Sequence, residues 1–265
     1  MWSNCLAAWL LGGGGALDRF VLLCIAATLM YVGGMYWNDA FDVAFDRKHR
    51  PERPIPSGTI TEREVWWMGG VMIGAGFLML ATLGAGVARC GLMLMGSIIL
   101  YDAVHKRTVF SPLIMAACRF FLFLAAGAAA VNGIDGWVLW SASVLAIYIV
   151  GLSYIAKVES DAGPLGYWPM YLLAAPLILS FFMNDGPYRA HGLILAAPLL
   201  FWVLKSLRCV IAVQPPQIGA AVGGLLAGIC LVDLAAVGSS SPVILSAFFG
   251  LFLASRIFQR FIPAT

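Results

Sequence analysis

Charge is what this sequence has least of. Lys, Arg, Asp and Glu make up 11% of its 265 residues, against 62% hydrophobic ones, and its mean hydropathy is +0.91. A chain so poor in charge cannot clothe a soluble globule, so soluble domain classes are excluded. Alternating ten-residue segments are missing too, which excludes a transmembrane β-barrel. The six cysteines stand singly at 5, 24, 90, 118, 209 and 230. Without metal-type spacing they read as small buried hydrophobes. The opening stretch "MWSNCLAAWLLGGGG" lacks the basic region of a signal peptide and is about half a span long. It reads either as a helix whose start is missing or as a half-helix lying in the interface. "GGGG" at 12–15 follows no strand and reads as a flexible connection rather than a phosphate-binding loop.

What remains is a series of apolar segments near 17–38, 65–84, 88–104, 110–131, 137–157, 166–183, 190–212, 218–237 and 242–260. Turn signals such as "NGIDG" and "MNDGP" separate them. Segments of about 18–22 residues predict an all-α integral membrane protein. The expectation is one bundle of about nine to ten transmembrane helices, residues 1–265, around a central cavity open to the cytoplasmic face.

Orientation follows from Lys and Arg. If the loop after residue 38 is cytoplasmic, that side collects Arg47, Lys48, Arg50, Arg53, Arg63, Lys106, Arg107, Lys157, Lys205, Arg208, Arg256 and Arg260. The far side collects only Arg19, Arg89 and Arg189, and Arg119 lies within a span, which accounts for all 16. Basic residues concentrate on the cytoplasmic side of membrane proteins, so the bias predicts this topology.

The most polar stretch is "WNDAFDVAFDRKHRPERPIPSG", residues 37–58. On a continuous helix Asn38, Asp42, Asp46 and Asp39 fall at about 0°, 40°, 80° and 100°. Phe41 and Phe45 are assigned to the other side. Carboxylates gathered on one arc repel unless something positive sits among them. Oxygen-only ligands select a hard cation, Mg²⁺ before Zn²⁺. Mg²⁺ so held keeps positions open for phosphate oxygens, and Arg50 and Arg53 supply forks suited to phosphate. Two more segment ends contribute. "ILYDAVHKRT" offers Tyr101, Asp102, Lys106 and Arg107, while "SYIAKVESDAG" offers Tyr154, Lys157, Glu159 and Asp161. Within the spans, Arg119 is costly unless it faces a cavity, and reads as a diphosphate or acceptor contact. Asp233, near the far-side end of its span, is expected to snorkel outward.

The run N-D-x-x-D-x-x-x-D followed by R-P-I-P-S-G resembles the first Asp-rich motif of the UbiA superfamily of intramembrane prenyltransferases. Asn38, Asp39, Asp42, Asp46, Arg53, Pro54, Pro56, Ser57 and Gly58 fall on it. "YDAVHKR" is similar to the family's Tyr-x-x-x-Lys-Arg element, with its spacing changed by one residue. The second Asp-rich motif departs, since Gly151 and Val158 stand where its Asp residues belong. That departure resembles the divergent UbiA-like proteins called EboC.

The resemblance implies Mg²⁺-dependent transfer of an isoprenyl group, geranyl to geranylgeranyl or longer, from its diphosphate to a small acceptor. It also implies a bacterial cell-membrane location, an active site facing the cytoplasm, and no nucleic-acid partner. Asp42, Asp46 and Tyr154 would be catalytic, the tyrosines stabilising an allylic cation. Asn38, Asp39, Asp42, Asp46, Glu159 and Asp161 would hold metal. Arg50, Arg53, Tyr101, Lys106, Arg107 and Lys157 would hold diphosphate, with Asp102 and Arg119 touching substrate. If the helix ends before Ser160 both Glu159 and Asp161 could reach the diphosphate, and if it continues only Asp161 shares a face with Tyr154 and Lys157. Glu159 is favoured, because its longer side chain spans the extra distance and a one-residue shift restores the Tyr-to-acid order. The alternatives are pentosyl-diphosphate transfer to a lipid phosphate, and a transporter or non-catalytic scaffold.

Overall fold

The computed structural model describes residues 1–161, 166–178, 187–238 and 241–261, with side chains except at 159–161 and 187–191. The described residues form helices α1 Trp2–Leu11, α2 Leu17–Phe41, α3 Val43–His49, α4 Glu62–Thr82, α5 Ala85–Val104 and α6 Ser111–Ala129. They continue as α7 Gly136–Asp161, α8 Trp168–Leu172, α9 Pro187–Ile211, α10 Ile218–Val237 and α11 Pro242–Phe258. Seven of these, α2, α4 to α7, α9 and α10, are long and apolar enough to cross a membrane. The segments expected at 166–183 and 242–260 give shorter apolar helices among the described residues, which stop at 178 in the first of them.

Local chemistry sets the helix ends. α4 starts three residues earlier than its apolar run because Thr61 and Glu64 form a reciprocal capping box. Thr61 N–H donates to Glu64 Oε2 at 2.9 Å and Glu64 N–H donates to Thr61 Oγ1 at 3.3 Å. Proline stands in the first turn of α6, α8 and α11, where its missing N–H costs nothing. At the opposite end of the bundle, Arg19 donates to the carbonyl oxygen of Leu83 at 2.7 Å, just past the end of α4. It is 3.5 Å from that of Ala129, the last residue of α6. Its charge complements the negative ends of both helix dipoles.

Two expectations for the first residues change. The half-helix α1 does not lie in the interface. It packs inside the bundle against α6 and α10, burying Ser3, Asn4, Cys5, Ala7 and Ala8. The glycine run after it is tied down rather than free. Val131 N–H donates to Gly14 O at 2.9 Å, and Asn132 N–H to Gly12 O at 2.8 Å. α10, the most buried span, sits between α1, α7, α9 and α11.

A close crossing of α2 and α4 decides where the polar end of α2 lies. At Gly33 of α2 an added Cβ would come within 2.7 Å of Ile73 and 2.9 Å of the Gly69 carbonyl oxygen. At Gly69 it would strike the Trp37 indole and come within 3.0 Å of the Gly33 carbonyl oxygen. Small residues let the two backbones touch, as is common where helices pack in lipid. Gly74, on the same helix, has nothing within 4 Å of an added Cβ. Gly69→Ala is therefore expected to destabilise the fold by about 1–3 kcal/mol through overpacking. Gly74→Ala should be neutral or slightly stabilising, as a better helix former. Thermal unfolding in detergent distinguishes the two, and equal melting points would refute the crossing.

Candidate active site

The polar end of α2 is not one continuous helix. It stops at Phe41, Asp42 lies outside it at φ −83° and ψ −4°, and α3 starts at Val43. The acidic residues accordingly divide into two groups. In the first, Arg53 Nη1 lies 2.7 Å from Asp39 Oδ1 and 3.7 Å from Asp46 Oδ2. In the second, Lys106 Nζ lies 2.8 Å from Asp42 Oδ1 and His105 Nε2 lies 3.6 Å from the same oxygen. Asn38 Nδ2 donates to Asp102 Oδ1 at 3.2 Å, joining the ends of α2 and α5.

Arg53 is delivered by the turn that "RPIPSG" makes. Ser57 N–H donates to Arg53 O at 2.9 Å, and Thr59 N–H and Ile60 N–H both donate to Pro54 O, at 3.0 and 3.3 Å. Gly58 has φ +78°, in the left-handed region that favours glycine. The turn, α4 and the end of α2 enclose a cleft of about 670 Å³, lined by Tyr36, Asp39, Asp46, Arg53, Glu64 and Trp67 among others.

Burial makes these carboxylates expensive. Asp46 is 2% exposed and Asp102 6%. Burial pushes the Asp42 carboxyl upward, but His105 and Lys106 outweigh it and hold it below its ordinary value. Burial likewise lowers the His105 imidazole, and Asp42 reverses this, leaving it above its ordinary value. Among the described residues two buried carboxylate oxygens have no hydrogen-bond partner: Asp46 Oδ1 and Asp102 Oδ2. Buried carboxylate oxygens rarely go unsatisfied, so each is an open coordination position. Among the described residues no three His, Cys, Asp or Glu side chains converge to hold a metal by themselves. The expected single arc of four ligands is thus shared between two cations, Arg53 taking Asp39 and Asp46 and Lys106 taking Asp42. An all-oxygen set with free lone pairs still fits Mg²⁺, which typically takes one or two carboxylates and leaves the rest to phosphate and water.

Residues 1–215 match the UbiA prenyltransferase family. The chain belongs to that family. It is 27% identical over 262 residues to digeranylgeranylglyceryl phosphate synthase of Methanoregula boonei, covering 91% of this chain and 83% of that protein. The synthase of the same name from Metallosphaera sedula is 30% identical over 99 residues, and the chain spans 35% of its length. The 4-hydroxybenzoate octaprenyltransferase of Pseudomonas entomophila is 24% identical over 61% of the chain and 56% of that protein. In fold the chain resembles a solved structure reported as "Structural and mechanistic insights into the biosynthesis of Digeranylgeranylglyceryl phosphate synthase in membranes". The TM-score is 0.60 at 19% identity, over 89% of this chain and 91% of the other.

Within this UbiA member the residues expected at the site separate clearly. Asn38, Asp39, Asp42, Asp46, Arg53, Asp102 and Lys106 come together. Tyr101 stacks on His105 with centroids 5.1 Å apart, which puts it at the rim. Lys157 donates to the Thr108 carbonyl oxygen at 2.7 Å, tying α7 to the turn before α6 near Lys106 and Arg107. Arg50 and Arg107 are exposed. Tyr154 meets Trp168 edge-on at 4.7 Å, a contact directed to α8. α7 continues through Asp161, the case in which Asp161 is expected to share a face with Tyr154 and Lys157. The side chains of Glu159 and Asp161 lie outside the described residues.

Gly151 explains part of the degenerate second motif. A Cβ there would come within 2.6 Å of the Pro169 carbonyl oxygen and 3.0 Å of Leu172. α8 occupies the space an aspartate would need.

Three other expectations are corrected. Phe45 does not face away: Lys106 Nζ sits 3.8 Å above its ring. By helical projection Phe45 is in fact only about 20° from Asn38. Arg119 donates to Asn4 Oδ1 at 3.1 Å, an internal contact. Asp233 does not snorkel. It is 1% exposed and accepts from Asn4 Nδ2 at both oxygens, at 3.0 and 2.8 Å. Asn4, on an α1 too short to read as a span, carries no sequence signal of this network. His105 and Phe45 were also missed as site residues, although the i, i+4 spacing of Tyr101 and His105 marks a shared helix face.

Asn38→Ala is expected to cost about 1–3 kcal/mol, because it leaves the buried Asp102 carboxylate without its one side-chain donor. In an Asp102→Ala background the same change should cost almost nothing. A double-mutant cycle of melting points checks this, and additive losses would disprove the pairing.

Proposed function

We propose that the protein transfers an isoprenyl group from an allylic diphosphate to an acceptor within the membrane, releasing diphosphate. The observation that carries this reading is the pair of buried oxygens, Asp46 Oδ1 and Asp102 Oδ2, unpartnered among the described residues in a cluster that also holds the Arg53–Asp46 and Lys106–Asp42 pairs. Anionic oxygens left open next to cations suit a ligand that brings both metal and phosphate. Its relatives' names support the reaction class, and the Lys and Arg bias supports a cytoplasmic site.

Asp39, Asp42, Asp46 and Asp102, with Asn38, would hold Mg²⁺. Bound there, Mg²⁺ would supply charge neutralisation to the leaving diphosphate. Arg53 and Lys106 each neutralise a carboxylate and keep further donors for phosphate oxygens. Phe45 and Tyr101 offer aromatic faces at the same rim. The apolar helices exclude water, which would otherwise intercept an allylic cation.

The test incubates purified protein with geranylgeranyl diphosphate, Mg²⁺ and either a glyceryl phosphate lipid or 4-hydroxybenzoate. Product masses identify the acceptor. Diphosphate binding should fall on adding EDTA and recover with Mg²⁺ or Mn²⁺. Asp42→Ala and Asp46→Ala should each weaken it about 5- to 150-fold, as for a lost charged partner. Diphosphate affinity unchanged by EDTA would overturn the metal assignment.

A further inference from the structure

The far edge of the same end of the bundle has the opposite electrostatic character. Between residues 192 and 261 the chain carries four basic residues, Lys205, Arg208, Arg256 and Arg260, and one acid, Asp233. That acid is buried on Asn4, toward the end of α10 remote from these cations. Among the described residues none of the four forms an ion pair.

Two of them converge on one indole from different helices. Lys205 Nζ of α9 lies 5.2 Å from the Trp202 ring centroid, and Arg256 Cζ of α11 lies 5.4 Å from it. The platform is fixed. Trp202 Nε1 donates to the Gly224 carbonyl oxygen at 2.7 Å, and Phe252 packs edge-on to the ring at 4.7 Å. Arg256 is held as well. Its Nη1 donates to Gln259 Oε1 at 2.9 Å, while Gln259 Nε2 donates to Gly223 O at 2.9 Å. A cation near a helix C-terminus ordinarily settles on the last carbonyls. Here Arg256 reaches across to the α9 indole that Lys205 also approaches. Two cations at one ring leave it net positive, and cation–π attraction supplies no counter-charge.

We propose that this groove between the ends of α9 and α11 binds the phosphate headgroup of an anionic glycerophospholipid. Charge complementarity argues for the headgroup. The flanks argue for the lipid: Leu204 is 53% exposed on α9, and on α11 Leu253 is 57% and Ile257 54% exposed. These side chains lie next to the cations on the same helices, so an acyl chain has an apolar path directly beside the phosphate. Basic pockets between transmembrane helices suit anionic headgroups for this reason. Arg208 and Arg260, both exposed, form the rim that draws the headgroup in. Arg256 and Gln259 lie beyond residue 215, where the family match ends. The groove is also separate from the Asp-rich site, so the proposal does not depend on the transfer reaction.

The experiment uses the full chain in detergent, titrated with phosphatidylglycerol, with phosphatidylcholine, or with inorganic phosphate alone. Native mass spectrometry counts retained lipid, and melting points are read in parallel. Phosphatidylglycerol should be retained and raise the melting point, while the other two do neither. Each cation removed should weaken apparent lipid affinity about fivefold, so Lys205→Gln with Arg256→Gln together give about 25-fold. The charge-preserving pair Lys205→Arg with Arg256→Lys should keep retention within about twofold of the original, which separates charge from folding. The proposal is overturned if phosphatidylcholine is retained equally, or if inorganic phosphate alone reproduces the shift. It is equally overturned if the Gln pair binds normally, or if the charge-preserving pair loses as much as the Gln pair.

Discussion

A carboxylate taken out of water beside a bilayer must be paired, and the polar end of this protein is organised by that requirement. Asp46 and Asp102 are almost wholly enclosed, and an isolated ion so placed would be neutralised by protonation instead. Arg53 pairs with Asp46, Asn38 donates to Asp102 and Lys106 takes Asp42, and the local backbone delivers all three. The turn around Pro54 swings Arg53 back over the end of α2. The C-terminal turn of α5 carries Lys106 across to Asp42, with Phe45 beneath it. These pairings leave one buried oxygen on each of Asp46 and Asp102 without a partner among the described residues, and the proposed reaction rests on those two positions.

The helices supply that precision through close contact. Lipid tails give apolar side chains no reason to prefer each other, so helix association rests on packing and on shared polar groups. Gly33 and Gly69 bring α2 onto α4, which aligns the Asp-rich segment with the capped start of α4 and closes the cleft around Arg53. Gly151 does the same for α7 and α8. Arg19, Asn4 and Asp233 then provide the polar ties away from the site. Arg119 belongs to this second group, since its contact is Asn4 rather than the Asp-rich cluster.

Much of this was legible from the chain. The scarcity of charge implied membrane helices, and the N-D-x-x-D-x-x-x-D and R-P-I-P-S-G runs pointed to the UbiA family and to the residues that now lie together. The misses have physical causes. Helical projection shows which side chains share an arc but not which cation each one meets, so it merged Asp39 and Asp46, which meet Arg53, with Asp42, which meets Lys106. Burial of Asp233 depends on Asn4, distant in sequence by the whole bundle, and no periodicity encodes that contact. The empty position of the second Asp-rich motif looked like lost chemistry. At Gly151 it is a packing requirement, because the chain chose to bring α8 against α7 there.

One end of the bundle thus holds two electrostatic environments. Around α2, α4 and α5 acids and bases alternate at ion-pair distance, so the local field nearly cancels and only a ligand that supplies its own cation adds net attraction. Around α9 and α11 the described residues contain no acid at that end, so the field is uncancelled and any anion at the membrane surface is drawn in. On the two proposals the sites would not compete. A diphosphate would be favoured where carboxylates can share a divalent ion with it, and a singly charged phosphodiester, which has less need of metal, where lysine and arginine stand without acids. Sixteen basic residues against thirteen acidic ones leave a small net charge. It is their partition along the chain, not the sum, that sorts anions by chemistry at this face.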